Sequence, residues 1–214
     1  MFHPSALFLL VICSFLVSVT SVERAASLTK VSIYYESLCP DSIDFIRDEL
    51  FPNYEALKDR IFIDFVPYGK ASQSKSSNGE WLFRCQHGSP ECRGNKYQAC
   101  ALAQKKGQDA NVNFVSCVMS SADPSDSEEI RNCAVSNGFD WQVISLCYQG
   151  DRGNELLAQY GTRTHSLNPK LRFVPTIIYD DVFDQTLQNE SLYYFVKAVC
   201  SKLSQPLPNI CRKN

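Results

Sequence analysis

The sequence predicts an α/β fold with a helical insertion, reinforced by disulfides, and three observations carry that reading. Strand-like segments lie in the first third and last quarter of the 214-residue chain, with a long helical stretch between them. Eight of the ten cysteines lie from Cys85 onward. One cysteine, Cys39, stands apart from them at the point where a strand gives way to a helix.

The N-terminus reads as a targeting segment. Ala6 to Val19 is almost continuously apolar, and small residues follow at Val19-Thr20-Ser21. The run has the length of a signal-peptide core and is too short for a membrane span, although the preceding residues carry His3 and no Lys or Arg. Cleavage is expected near Ser21, dividing the chain into a signal peptide, 1–21, and a single domain, 22–214, with a helical insertion over about 85–160. No other stretch approaches transmembrane length. The expectation is a chain free of the membrane after cleavage, secreted or lysosomal through the secretory pathway. Roughly 190 remaining residues suit one domain with a substantial core.

Within that domain, Val31, Ile33 and Tyr35 alternate with Ser32, Tyr34 and Glu36, the period of a strand. Ile43, Ile46 and Leu50 then recur at helical spacing, with Pro52 expected to end the helix. Arg60 to Pro67 is rich in β-branched and aromatic residues and reads as a second strand, completing a βαβ unit. Lys70 to Glu80, dense in Ser and Asn, reads as a surface loop. From Glu91 to about Tyr160 the pattern is mostly helical. Ser125-Asp126-Ser127-Glu128 predicts a capping box before Ile130, and Asn137-Gly138 the end of that helix. Arg172 to Tyr179 predicts a strand entered through Pro175, Asp180-Asp181 a turn, and Val182-Phe183 the opening of another strand. Glu190 to Leu203 predicts a final helix whose apolar face is Leu192, Phe195, Val196 and Val199. The order β-α-β, helical block, β-β-α is thioredoxin-like.

Ten cysteines are present, and loss of Cys13 with the signal leaves nine. In an oxidising compartment cysteines pair, so an odd number marks a leftover. Cys85, Cys92, Cys100, Cys117, Cys133, Cys147, Cys200 and Cys211 can make four bridges among themselves, in a pairing the spacing does not fix. The leftover is Cys39.

A thiol at a helix start lies near unpaired N–H groups and the positive end of the helix dipole, which favour the thiolate. Pro40 suits the first helical position. The expectation is a lowered pKa and a nucleophile able to attack disulfides. Ser42 stands where a Cys-X-X-Cys motif has its second sulfur, one turn on. Its hydroxyl can support a thiolate but cannot resolve a mixed disulfide, so release needs an external thiol such as glutathione or cysteine. Pro175 is expected to follow a cis peptide bond and to face the sulfur. The competing readings are an inert or chain-linking Cys39, and a redox-inactive or trapping binding protein of the same fold.

The net charge of −2, with basic residues scattered, gives no nucleic-acid footprint. Lys105-Lys106 reads as a solvated helix end. Cysteines seven and eight residues apart, with His87, lack the close paired spacing of zinc ligands, so no metal or other cofactor is expected. His165, in a Thr-His-Ser loop, has no partner acid or nucleophile in view. Asn189-Glu190-Ser191 is the N-glycosylation sequon, placed at the start of the last helix.

The segment Cys85-Gln86-His87-Gly88-Ser89-Pro90-Glu91-Cys92-Arg93-Gly94-Asn95-Lys96-Tyr97-Gln98-Ala99-Cys100 closely resembles the signature Cys-Gln-His-Gly-X-X-Glu-Cys-X-X-Asn-X-X-X-X-Cys of the gamma-interferon-inducible lysosomal thiol reductase family. The resemblance extends to Cys39, to Phe173-Val174-Pro175 and to the later cysteines. It implies a thioredoxin-like fold with an inserted helical region, a secretory or lysosomal address, a part in host defence, and reduction of disulfide-containing protein substrates at acidic pH. Carried over residue by residue, Cys39 matches the attacking cysteine. Ser42 replaces the second one, which is expected to weaken turnover. Cys85, Cys92 and Cys100 then read as structural half-cystines, and His87 as a loop residue satisfying local polar groups.

Overall fold

Strand β1 (Thr29–Tyr35) is the middle of a three-stranded sheet ordered β2-β1-β5. It pairs in parallel with β2 (Ile61–Pro67) and antiparallel with β5 (Thr176–Tyr179), so that Ile33 lies between Phe65 and Ile177. The computed structural model describes residues 27–212, and the expected signal peptide lies outside them. Both faces of β1 are covered, including the one carrying Ser32 and Tyr34. Asp64 of β2 accepts hydrogen bonds from Ser32 and from the Arg163 guanidinium there, which keeps its carboxyl below the usual range despite burial.

The helix after Cys39 corrects one expectation. Helix α1 (Pro40–Asp44) runs through a π-helical segment (Phe45–Leu50) directly into α2 (Phe51–Leu57), so Pro52 does not end it. Pro52 has no N–H to bond four residues back and occupies the first turn of α2. The π segment just before it, where the Phe51 N–H reaches Ile46 O, absorbs the lost bond. Phe45, Ile46, Leu50, Tyr54 and Leu57 all turn to the core.

The polar stretch after β2 is also more regular than expected. Strand β3 (Ser72–Lys75) pairs antiparallel with β4 (Trp81–Arg84) in a separate hairpin. Ser-Gln-Ser-Lys carries no apolar alternation. The strand exists because Trp81 and Phe83 stack on one face, with the Lys75 ammonium 4.9 Å from the Trp81 ring centre.

Five helices follow: α3 (Ser89–Leu102), α4 (Gln108–Met119), α5 (Ser127–Ser136), α6 (Trp141–Gln149) and α7 (Asp151–His165). Helix α5 is capped by Asp126, one residue later than expected; its carboxylate accepts the N–H groups of Glu128 and Glu129. Gly138, with φ of 77°, ends it as expected. Disulfides tie this region together: Cys85–Cys92 clips β4 to α3, Cys100–Cys147 joins α3 to α6, and Cys117–Cys133 joins α4 to α5.

The end of the chain departs from expectation in two places. Val182-Phe183 forms no strand, only an isolated bridge between Val182 and Tyr179, because Asp180 and Asp181 both take left-handed conformations and turn the backbone away. The single last helix is two, α8 (Gln185–Ser191) and α9 (Phe195–Lys202). Asp184 caps the first, and the break at Tyr194 is held by a long-range bond from the Phe195 N–H to the Glu49 carboxylate at 3.0 Å. Asn189 is therefore inside α8 rather than at a helix start, with its side chain exposed. Cys200–Cys211 fastens the terminal 3-10 turn (Asn209–Arg212) to α9.

Candidate active site

Cys39 is the N-cap of α1, with Pro40 in the first helical position. It is the only free cysteine among the described residues and is buried, 6 % exposed. The Val174–Pro175 bond is cis, and the thiol faces the Val174 carbonyl at 3.7 Å. The structure thus brings Cys39, Pro40, Ser42 and the Pro175 loop together from two ends of the chain.

Ser42 is fully buried one turn further on. Its hydroxyl accepts the Glu36 N–H at 3.4 Å, and the Cys39 N–H donates to the Glu36 carbonyl. The expected lowering of the Cys39 pKa is corrected: burial pushes the thiol up. The hydroxyl and N–H of Ser42 oppose that rise, the Glu36 carboxylate adds to it, and the Asp41 N–H again opposes it. The helix start is present, but desolvation wins.

The sequence signature lies directly behind this loop. The Asn95 amide oxygen accepts the Ser37 N–H at 2.8 Å, and the Ser37 hydroxyl donates to Glu91 O at 3.1 Å. Gly94 permits this approach, since a Cβ there would meet Ser37 Oγ at 2.5 Å. Glu91 is fully buried and accepts both the His87 N–H, at 3.1 Å, and His87 Nδ1, at 2.5 Å. Glu36 is fully buried beside them. The sequence placed His87 correctly as a residue satisfying local polar groups but gave no role to Glu36 or Glu91. The His87–Glu91 spacing of one helical turn was the available signal; nothing in the linear order places Glu36 beside it.

Glu36, His87 and Glu91 are also the grouping among the described residues whose donor atoms lie together, within 4.8 Å. Tetrahedral zinc ligands sit about 3.3 Å apart given bonds of about 2.0–2.1 Å. His87 Nδ1 and Glu91 stand closer than two ligands of one ion would, at 2.5 Å, and are hydrogen-bonded to each other.

This sheet, with a cysteine at a helix start, a cis-proline loop across from it and added disulfide-linked helices, defines a thioredoxin-like oxidoreductase fold. Solved structures agree on the fold. The DsbA of Chlamydia trachomatis superposes with a TM-score of 0.55 at 11 % identity, covering 81 % of this chain and 89 % of that one. A putative protein disulfide isomerase from Nitrosomonas europaea gives 0.50 at 11 % identity, covering 74 % and 87 %.

The family is narrower than the fold. Residues 30–137 match the family described as gamma interferon inducible lysosomal thiol reductase (GILT). A gamma-interferon-inducible lysosomal thiol reductase-like protein of Anopheles gambiae is 36 % identical, covering 86 % of this chain and 80 % of the relative. GILT-like protein 1 of Drosophila melanogaster is 32 % identical, covering 95 % and 86 %. The gamma-interferon-inducible lysosomal thiol reductase of Carassius auratus is 34 % identical, covering 87 % and 73 %. The chain belongs to the GILT family, and family and fold support a thiol–disulfide oxidoreductase role.

Proposed function

We propose that this protein carries out thiol–disulfide exchange on protein disulfides through Cys39 alone, in the secretory pathway or lysosome. The observation that supports it most is a free cysteine at a helix start, beside a cis-proline loop, with a hydroxyl at the fourth position where a second sulfur would stand. The Cys39 thiolate attacks one sulfur of a substrate disulfide. That bond breaks, the departing sulfur leaves with the electron pair and takes a proton, and Cys39 is held in a mixed disulfide. Ser42 offers no sulfur to displace the substrate. A first external thiolate, of glutathione or cysteine, attacks the Cys39 sulfur and expels the substrate as a thiolate. A second frees Cys39 and leaves as the oxidised dimer of the small thiol. In sum, one disulfide is reduced and two small thiols are oxidised to one disulfide. The domain boundary near Ser21, the substrate class, glycosylation at Asn189 and the compartment belong to this same reading, with support from the family's name and the cysteine usage.

The test is a disulfide-linked protein substrate with and without small thiol at pH 5 and pH 7. Mixed disulfide should accumulate when small thiol is withheld and disappear when it is restored. Cys39→Ser should give neither trapping nor reduction, and Ser42→Cys should turn over faster and shorten the life of the trapped species. Wild-type rates in Cys39→Ser would overturn the mechanism. If wild type neither traps nor reduces at either pH, the protein is instead a binding protein of this fold.

A further inference from the structure

The Cys-X-X-Ser turn is built on Glu36. Its carbonyl accepts the Cys39 N–H and its N–H donates to the Ser42 hydroxyl, so the backbone of one residue holds both ends of the motif. Its side chain runs inward from there and is fully buried. One carboxyl oxygen accepts the Lys70 N–H at 2.6 Å. The other has no hydrogen-bond partner and lies 3.6 Å from His87 Nδ1. The chain is shaped to cover this carboxyl: Gly69, at φ of 58°, sits where a Cβ would overlap Glu36 Cγ at 2.2 Å.

We propose that Glu36 is a positioning residue for Cys39, a buried carboxyl held by the Lys70 amide and facing the His87–Glu91 pair, whose charge sets how readily Cys39 becomes a thiolate. This deepens the one-thiol reading and rests on it.

The argument begins with counting protons. Two buried carboxyls, Glu36 and Glu91, face a single imidazole nitrogen. Both Glu91 oxygens have a partner in His87, its backbone N–H on one and its ring Nδ1 on the other. Glu36 has one oxygen with no partner and a second buried carboxyl beside it, so its charged form is the costly one and it is the group that takes up a proton. The charged and titratable groups facing it come from each element packed around it: Lys70 from the β2–β3 turn, His87 from the loop before α3, Glu91 from α3, and Cys39 from its own loop. Burial raises the Glu36 pKa to about 7; the Lys70 amide lowers it, Glu91 raises it and His87 lowers it.

The consequence for the sulfur follows from sign alone. Above neutrality Glu36 is ionised and repels the thiolate, adding to the rise that burial causes. As pH falls through about 7 the carboxyl gains its proton and that repulsion disappears. Cys39 therefore loses thiolate less steeply on acidification than an isolated thiol would. The family signature, by anchoring His87 and Glu91 against Glu36, reaches the reactive sulfur without touching it.

The measurement is the rate of Cys39 alkylation by iodoacetamide from pH 4.5 to 9.5, read by peptide mass mapping on the full mature protein. Wild type should give a profile broader than a single ionisation. Glu36→Gln keeps the shape and the Lys70 contact while removing the charge. It should give a single ionisation curve, with Cys39 labelled ~3–10-fold faster at pH 8, the size of half to one pKa unit, and a rate near wild type at pH 5.5. Glu91→Gln should move the break in the wild-type profile to lower pH, and it answers the question if Glu36→Gln does not fold. Superimposable profiles for wild type and the variants, with Cys39 still labelled, would overturn the role of Glu36 and leave the one-thiol reading standing. A wild-type profile that shifts on adding Zn²⁺ would overturn it in favour of a metal at the same three side chains. Absence of labelling at Cys39 at every pH would instead remove the one-thiol reading, and this proposal with it.

Discussion

The two parts of this molecule are held together by different means. Residues 27–84, which include β1, the Cys39 loop and β2, contain no disulfide, while all four bridges lie from Cys85 onward. The first region relies on a sheet buried on both faces and on hydrogen bonds that satisfy its loop. The helical region relies on covalent links between neighbouring helices. Under the proposed one-thiol exchange the difference has a use: the part carrying Cys39 has no bridge of its own for that sulfur to exchange with. Helix α3 joins the two modes, since Cys92 and Cys100 are bridged while Glu91 and Asn95 bond to the Cys39 loop.

Breaking the helical region should give the largest effect. Cys100–Cys147 closes the longest loop, with a sequence separation of 47. Replacing both cysteines by alanine should cost about 4 kcal/mol in denaturant unfolding. Cys39 alkylation measured well below the transition should be unchanged, and a large change there would show that the two regions are one unit.

The next largest effect separates them by pH. The Glu36 pKa rises from 4.5 to about 7 on folding, so the folded state binds that proton more tightly. Its contribution is full below about pH 4.5 and is lost as pH rises through about 7. Stability should fall by about 2–3 kcal/mol over that window, and Glu36→Gln should abolish the slope. Urea unfolding at pH 4.5, 6 and 8 measures it, and a slope retained in the variant would assign it elsewhere.

At the junction itself, Asn95→Ala leaves the buried Ser37 N–H without its acceptor. The expected loss is about 1–3 kcal/mol, with altered Cys39 alkylation, because the orphaned group belongs to the Cys39 loop. A stability loss with no change at Cys39 would confine the role of Asn95 to α3. The smallest effect is expected from Asp126→Ala, which removes the α5 cap at about 1 kcal/mol and should leave Cys39 untouched.

What the sequence disclosed divides along physical lines. Strand β1, Pro40 after Cys39, the Asp180-Asp181 turn and the leftover cysteine were legible because each rests on local pattern or on counting. The two-part end of the chain was not, because the break before α9 depends on Glu49, far away in sequence. Strand β3 was hidden because its partner, rather than its own Ser-Gln-Ser-Lys, supplies the apolar contact. The thiol was placed correctly and its pKa was not: a helix start can be read from Cys39-Pro40, but the burial that outweighs it arises only in the folded molecule. Glu36 was missed for a related reason, since its neighbours Lys70, His87 and Glu91 meet it only in three dimensions.

The pairing of β1 with β5 has a consequence for synthesis. The carbonyl facing the Cys39 thiol belongs to Val174, 135 residues later in the chain. A ribosome delivers Cys39 early and its cover near the end, so a nascent chain carries this thiol uncovered through most of its emergence. Every cysteine it could wrongly join within the domain arrives after it, yet each of those finds its own partner among residues still to come or just made. Translation order thus presents the Cys39 sulfur to each structural cysteine in turn, and only the finished fold, with the Val174 carbonyl in place, sets it apart from them.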